Sequence, residues 1–543
     1  MTYRSIKYDS LPGFSKLFLD YINGNSFFDR RFPNNKRIFT DKTFLDDIAL
    51  SNKHRKVIAN TISETMKDLD FSPEQTKNLN LLKSSNSLAV VTGQQVGFLG
   101  GPLYTLIKAL SAIALSNKLN NHHKDFAFVP IFWIEDNDHD NLESSQITIF
   151  DQSYNPHIFN CDEFPDKNDR RVISSRVFSA YINDVIHNIS DILPGTNNEE
   201  LITLLNNIYK PSKSWTSAFV ELIHNLTGFT GILFISASKL QSSGIFSEPV
   251  GKELENLGKT EALIHFANNQ LKSASYHIQA KSSKINLFFH KKDLRYKIEP
   301  VSDHYEYFKI SDEKYHYKEL LNQLSQNHSA FSPNVLLRPV FQDYSLPTAA
   351  YIAGPSEIGY CSQLKEVYDF FQVSMPAFLP RHSVTLIDKK ISRFLEKNDL
   401  SPEFFFCRKE VLKSFINNKF KDSNTENLIK KSIDDIQIIF DRLKALANSI
   451  DPTLDAFVDS SGTKTRQVIE AIGKKIKSAE IRKFDFLITK YNEASQHLYP
   501  FETFQERIYS PVNFLSNNLQ EIFIENILDL FKKDPDSHLF IHL

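Results

Sequence analysis

The sequence predicts an α/β fold, a doubly wound parallel sheet with insertions, followed by an antiparallel helical coiled coil. Three observations predict it. Short runs that are apolar at every position recur along the chain, as strands covered on both faces require. The first run leads through a glycine-rich loop and a helical pattern to the second, which is the signature of a right-handed βαβ unit. From Ile429 onward, apolar residues alternate by four and three over four heptads.

The apolar runs are Leu88–Val91, Phe126–Ile134, Ile232–Ile235 and Val335–Leu337, the last extending toward Phe341. After the first, Pro102 suits the first turn of a helix, where its missing N–H costs nothing. Leu103, Leu106, Leu110 and Ile113 follow at helical spacing. Residues 141–330 are richer in Asn, Ser, Lys and Asp, with helical patterns at 181–193, 198–209 and 214–227. They read as one or two insertions before the sheet resumes near Val335; a separate α/β domain is the alternative, because Gly231–Ser236 is strand-like. Ile429, Ile433, Ile436, Phe440, Leu443, Ala447, Ile450, Leu454 and Phe457 form one seam, interrupted by Pro452 and broken at Ser460-Ser461-Gly462. Val468, Ile472, Ile476 and Ala479 open a second seam. Two long helices joined by a turn would either pack as a helical subdomain or pair with a second subunit. The expected division is 1–150 and 331–395 for the core, 151–330 for insertions, 396–500 for the coiled coil, and 501–543 for a segment returning to the core.

Composition narrows the function. The chain has 543 residues, 41% hydrophobic and 24% charged, enough to bury a core without covalent staples. A net charge of −2 announces neither a nucleic-acid nor a membrane-surface partner. No run approaches 18 apolar residues, so no membrane span is expected. Cys161, Cys361 and Cys407 are far apart and odd in number, which argues against a disulfide framework and fits a reducing, cytoplasmic compartment. The first residues carry no apolar h-region of a secretory signal.

The chemistry-bearing residues fall in blocks. TGQQVGFLGGPLYT, residues 92–105, ends the first strand and opens a helix. In open α/β sheets ligands bind at the carboxyl ends of strands, and a helix N-terminus offers free N–H groups to anions. Gly100 and Gly101 would let the backbone approach a ligand, with Gln94, Gln95, Tyr104 and Thr105 as polar contacts. Lys108, one turn on, could neutralise a phosphate or carboxylate; a tight turn and a solvated helix face are the plainer readings. The spacing is neither that of the P-loop nor that of the dinucleotide fingerprint. FWIEDNDHD, residues 132–140, ends the second strand with Trp133, Asp138, His139 and Asp140. Its carboxylates could hold an ammonium and His139 could move a proton; metal ligation and a solvated acidic loop are the alternatives, and no metal is expected. Residues 338–364 bring Arg338, Gln342, Asp343, Gly354, Glu357, Tyr360 and Gln363 behind the fourth run. Ser356 there could cap a helix. PRHS, residues 380–383, offers Arg381 to an anion or caps a strand. FQERIYSP, residues 504–511, could close a pocket or pin the C-terminal segment to the core.

Taken together, TGQQ-x-G-x-x-GGPLYT-x-x-KA, FWIEDNDHD, AGP-x-E-x-x-Y-x-x-QL, PR-x-S and QER, in this order, resemble the bacillithiol biosynthesis cysteine-adding enzymes from about residue 88 to the C-terminus. The resemblance implies a Rossmann-like core similar to that of class I aminoacyl-tRNA synthetases, connecting insertions, and a coiled coil that serves homodimerisation. It implies a ligase that condenses L-cysteine with the amino group of glucosaminyl-malate in the last step of bacillithiol synthesis, with ATP or ADP as a ligand. On that reading, amides near Gly100 and Gly101 with Lys108 bind anionic groups. Asp138, His139 and Asp140 recognise an ammonium and deprotonate the attacking amine, and Arg338 or Arg381 holds the malate carboxylates. Rival readings are a nucleotidyltransferase-like enzyme on the same core and a non-catalytic coiled-coil scaffold.

Overall fold

The computed structural model describes residues 1–193, 198–301, 306–412, 414–415, 425–515 and 520–543. It divides into two units, Met1–Lys389 with Thr503–Leu543, and Lys390–Glu502.

The first unit is built on five parallel strands: β1 (Ser87–Gln95), β2 (Ala127–Glu135), β3 (Leu233–Ser236), β4 (Thr348–Ala353) and β5 (Ala377–Pro380). Their spatial order is β5-β4-β1-β2-β3, the 3-2-1-4-5 order of a Rossmann-like sheet. The order reverses between β1 and β4, and the crevice outside their carboxyl ends is the expected ligand site. Helix α1 (Tyr104–His122) joins β1 to β2. Its face packs with Leu88, Val90, Phe128, Ala350 and Ile352 of the sheet and with Phe44, Leu45 and Ile48 from an N-terminal helix, giving a core with almost no exposed surface. The edge strand β3 lies inside the stretch expected to be insertion, so the polar segment is interrupted by a strand of the core. Helices at Tyr181–Ile192, Asn198–Ile208 and Trp215–Thr227 match the helical patterns.

The fourth apolar run is not a strand. The Asn334 side chain accepts from the N–H groups of Leu336 and Leu337, and Pro339 stands in the first turn of α2 (Arg338–Ser345). These local bonds favour a turn into a helix over an extended strand. The sheet resumes instead at β4, whose small residues Ala349, Ala350 and Ala353 are completely buried. Gly354 then leads into α3 (Pro355–Cys361).

A second sheet in the same unit pairs Thr2–Lys7 with Ser537–His542 antiparallel, and the latter with Ser383–Ile387 in parallel. A hairpin, Leu287–Lys291 and Leu294–Lys297, pairs with Phe331–Pro333.

The second unit is dominated by α4 (Thr425–Ile450) and α5 (Asp455–Leu498), which pack along each other. The chain turns at Asp451–Leu454, where Asp451 accepts from the Thr453 N–H and Pro452 ends the first helix. It does not turn at Ser460–Gly462, which lie inside α5. Gly462 and Gly473 mark close approach instead. A Cβ on them would stand 3.1 Å from Phe440 Cγ and 2.9 Å from Ile429 Cγ2. No helix among the described residues is long and apolar enough to cross a membrane.

Candidate active site

A cleft of about 800 Å³ opens at the carboxyl ends of β1, β2 and β4. Gln94, Gln95, Tyr104, Lys108, Trp133, Asp138, His139, Arg338, Gly354, Glu357, Tyr360 and Arg381 all border it. The blocks separated by hundreds of residues therefore meet at the switch point of the sheet.

At the floor, Lys108 is 2% exposed. Its Nζ donates to the Gly93 carbonyl at 2.5 Å and to Gln94 Oε1 at 3.2 Å, and pairs with Glu357 Oε2 at 2.6 Å. Burial pulls the Lys108 pKa down against the charge of Glu357; burial raises Glu357, but Lys108 and Arg338 outweigh it and hold the carboxyl below its usual range. The pair is internally satisfied, so Lys108 braces the floor rather than offering a free cation. Glu357 also accepts from the Gly354 N–H at 2.7 Å and from the Tyr351 hydroxyl at 2.7 Å. Arg338, from the first turn of α2, donates to Gln342 Oε1 at 3.0 Å and to the Tyr360 hydroxyl at 3.1 Å. Gln94 donates to the Tyr104 hydroxyl at 3.1 Å.

At the end of β2, Asp138 accepts from Arg295 at 2.9 Å, from the His139 N–H at 2.7 Å and from Gln95. Arg295 comes from the hairpin of the polar segment and stacks over Phe288, 3.8 Å from its centroid. Asp138 is thus fully engaged. His139 Nδ1 is buried without a hydrogen-bond partner among the described residues and stands 3.5 Å from Asp138 Oδ1. Burial and the Arg295 charge hold the His139 pKa below its ordinary value, which leaves the imidazole neutral at pH 7. Glu135, in register with Gln95, accepts from the Trp133 indole at 3.0 Å. Burial pushes its carboxyl up against the pull of Arg338.

Several expected residues lie elsewhere. Asp140 is exposed and caps the short helix Asn141–Ser145 by accepting from the Glu143 N–H. Gly100 and Gly101 do not border the cleft. With φ of +80° and +68° they make a reversal that only glycine adopts freely, and Gly100 packs against Leu222, Ile223 and Pro511. The Gly101 N–H is bonded to the Phe98 carbonyl. Thr105 is buried behind this turn. Gln342 donates to Asp343, which also accepts from Tyr368 at 2.5 Å, and burial raises the Asp343 pKa to about 6. Both are inside the protein, supporting Arg338. Gln363 pins residue Ala280 through its N–H and carbonyl, holding the loop that carries Lys281.

Lys281, Ser282, Ser283, Phe288, Arg295 and Lys297 line the cleft from the polar segment. No motif in the sequence marked them. Glu135 sat inside a flagged block without being singled out. The QER block does both jobs expected of it: Gln505 and Glu506 bind the core, and Arg507 borders the cleft. Among the described residues no group of three or more His, Cys, Asp or Glu is disposed to hold a metal ion.

Comparison with known proteins agrees with this geometry. The family model "Bacillithiol biosynthesis BshC, N-terminal Rossmann-like domain" matches residues 1–382, and "Bacillithiol biosynthesis BshC, C-terminal coiled-coil domain" matches residues 384–543. Relatives carrying the name "Putative cysteine ligase BshC" include one from Chloroherpeton thalassium, 30% identical over 98% of this chain and 97% of that protein. Another, from Chlorobaculum tepidum, is 28% identical with the same coverage. One from Staphylococcus aureus is 27% identical over 87% of this chain and 88% of that protein. Matched by both models along nearly its whole length, the chain belongs to the BshC family of bacillithiol biosynthesis.

Proposed function

We propose that this chain is a cytoplasmic ligase that joins the carboxyl group of L-cysteine to the amino group of glucosaminyl-malate, the last step of bacillithiol synthesis, with ATP as the activating nucleotide. The observation that carries the reading is the charge balance of the cleft. Lys108 pairs with Glu357, Arg295 with Asp138 and Arg381 with Glu506. Among the described residues, Arg338, Arg507 and Lys281 make no direct ion pair with a carboxylate and Glu135 and Glu143 make none with a cation, although Arg338 lies in the field of Glu357 and Glu135. A cleft with both signs left open suits ligands that carry both. Cysteine is a zwitterion, and glucosaminyl-malate carries an amine and two carboxylates.

The amide forms between the cysteine carbonyl carbon and the acceptor nitrogen, which must lose a proton, while the C–O bond to the activated carboxyl oxygen breaks and that oxygen leaves on the phosphoryl or adenylyl group supplied by ATP. His139, neutral and held beside Asp138, is the group placed to take it. Asp138, 3.5 Å from His139 Nδ1, acts on the imidazole through its charge and is itself held by Arg295 and Gln95. Arg338, whose terminal nitrogens already donate to Gln342, Tyr351 and Tyr360, would offer its charge and its remaining N–H groups to a carboxylate. The volume suits a nucleotide-sized ligand, and Arg338 and Lys281 would hold its phosphates. Bound ATP supplies activation of the cysteine carboxylate. The α4–α5 hairpin is the proposed homodimer surface, because Ile450, Phe457, Val468 and Ile472 on it are largely exposed.

The test is product formation by mass spectrometry from L-cysteine, glucosaminyl-malate and ATP, with His139→Ala and Arg338→Ala as folded variants. The expected result is an ATP-dependent amide product, with turnover down about a hundredfold in His139→Ala. Unchanged turnover in both variants overturns the roles. Pyrophosphate release that needs no cysteine would instead support a nucleotidyltransferase.

A further inference from the structure

The corner of the cleft where Tyr104, Arg381 and Arg507 meet brings two arginines together, of which only Arg381 is ion-paired among the described residues. The turn Gln505–Arg507 is held rigidly. Gln505 accepts from the Leu386 N–H at 2.8 Å and donates to the Leu386 carbonyl at 3.0 Å. Glu506, 2% exposed, accepts from Arg381 at 2.7 Å, from the Ser383 hydroxyl at 2.9 Å and from the Val384 N–H at 2.9 Å. With its two neighbours directed inward and locked, Arg507, an exposed residue, borders the cleft from a fixed backbone. Its guanidinium has no hydrogen-bond or ion-pair partner among the described residues. Glu506 is already committed to Arg381, so two arginines share one carboxylate. Arg381 uses its two terminal nitrogens on Glu506 and the His382 carbonyl, leaving its Nε–H undonated. Gly354 keeps the space beside that nitrogen open: a Cβ there would stand 3.9 Å from it and 3.3 Å from Glu357 Oε2, an oxygen already taken by Lys108 and the Gly354 N–H. The Tyr104 ring lies 5.5 Å beneath the Arg381 guanidinium and forms an apolar base.

We propose that Arg507, together with the Arg381 Nε–H, is an oxyanion subsite that anchors a carboxylate or phosphate group of the bound substrate. An ionised acceptor there completes the charge balance and is gripped by charge-assisted bonds from a preorganised frame. The proposal rests on the reading of this cleft as the substrate site. Two sources supply the same chemistry, the malate end of the acceptor and the phosphates of a nucleotide.

Isothermal titration of the full chain with L-malate, inorganic pyrophosphate and ATP separates them. Wild type is expected to bind malate or the phosphate ligands saturably. Arg507→Gln should weaken the bound class about ten- to a hundredfold, and Arg507→Lys should weaken it less, because it keeps the charge without the fork. Equal affinities in wild type and Arg507→Gln overturn the proposal, as does the absence of saturable binding of all three anions to wild type. Circular dichroism confirms that each variant is folded. Binding that responds to Arg507 while no cysteine-containing product forms would sink the ligase reading and leave the subsite standing.

Discussion

Asp138 and Asp140 stand two residues apart and have different tasks. The first is the hub of a buried hydrogen-bond network, and the second caps a helix in solvent. Their chemistry is identical in sequence; only the arrival of Arg295 from a hairpin more than a hundred residues away separates them. Gln94 was legible because it ends a strand, and Lys108, Arg338 and Glu357 because they lie early in helices that open beside glycine or proline. Arg295 and Lys281 were not, because nothing local distinguishes a cation that reaches a cleft from one that faces water. Burial of charge gives two predictions at this scale. Arg381 and Glu506 are 4% and 2% exposed. Glu506→Gln would leave Arg381 uncompensated and should cost about 3–5 kcal/mol, read as a lower urea midpoint. Glu253, 1% exposed, accepts from Thr260 at 2.8 Å and from the Asn286 N–H at 2.9 Å, while its other oxygen has no partner among the described residues. Burial raises its pKa to about 7. The folded state therefore binds more protons than the unfolded one between the ordinary glutamate range and pH 7, and this group's contribution to stability falls as pH rises through that window. Glu253→Gln should remove up to about 3 kcal/mol of that decline. Urea titrations at pH 5 and pH 8 measure it; an unchanged pH dependence would refute the assignment.

Elements were legible where pattern and packing agree. The strands near Leu88, Phe126 and Ile232 are fully covered and rich in β-branched or aromatic residues, so composition alone reveals them. The strand Thr348–Ala353 is alanine-rich, and alanine carries no strand preference; it is buried for the space it leaves to neighbouring helices. Val335–Leu337 looked like a strand, but Asn334 and Pro339 decide the local backbone. In the hairpin, the seam identified both helices, whereas the turn was expected at a glycine that close packing requires. That gives a prediction. Gly473→Ala gains helix propensity of about 1 kcal/mol but drives a methyl group into Ile429, 2.9 Å away. Overpacking of about 1–3 kcal/mol should win, so the helical signal of the hairpin should melt at a lower temperature in the variant. A higher melting temperature would show that the helices separate easily there.

On the scale of the molecule, two facts organise the function: a Rossmann-like order that brings β1 and β4 together, and a hairpin that leaves apolar side chains uncovered. Phe457 is 71% exposed and Ile450 73%, more than a solvated helix needs. If a second copy covers them, Phe457→Glu with Ile450→Glu should convert a dimer to a monomer by light scattering while the far-UV spectrum is kept. A wild-type monomer at micromolar concentration would remove the dimer proposal. The most direct test of the account is a crystal structure with glucosaminyl-malate bound. It should show the sugar in the cleft between Gln94 and Glu357, its amine facing His139 and its malate carboxylates on arginines of the rim. A ligand seated outside this cleft, or one inside it that touches neither His139 nor Arg338, would contradict the claim that these blocks converge to build one active site.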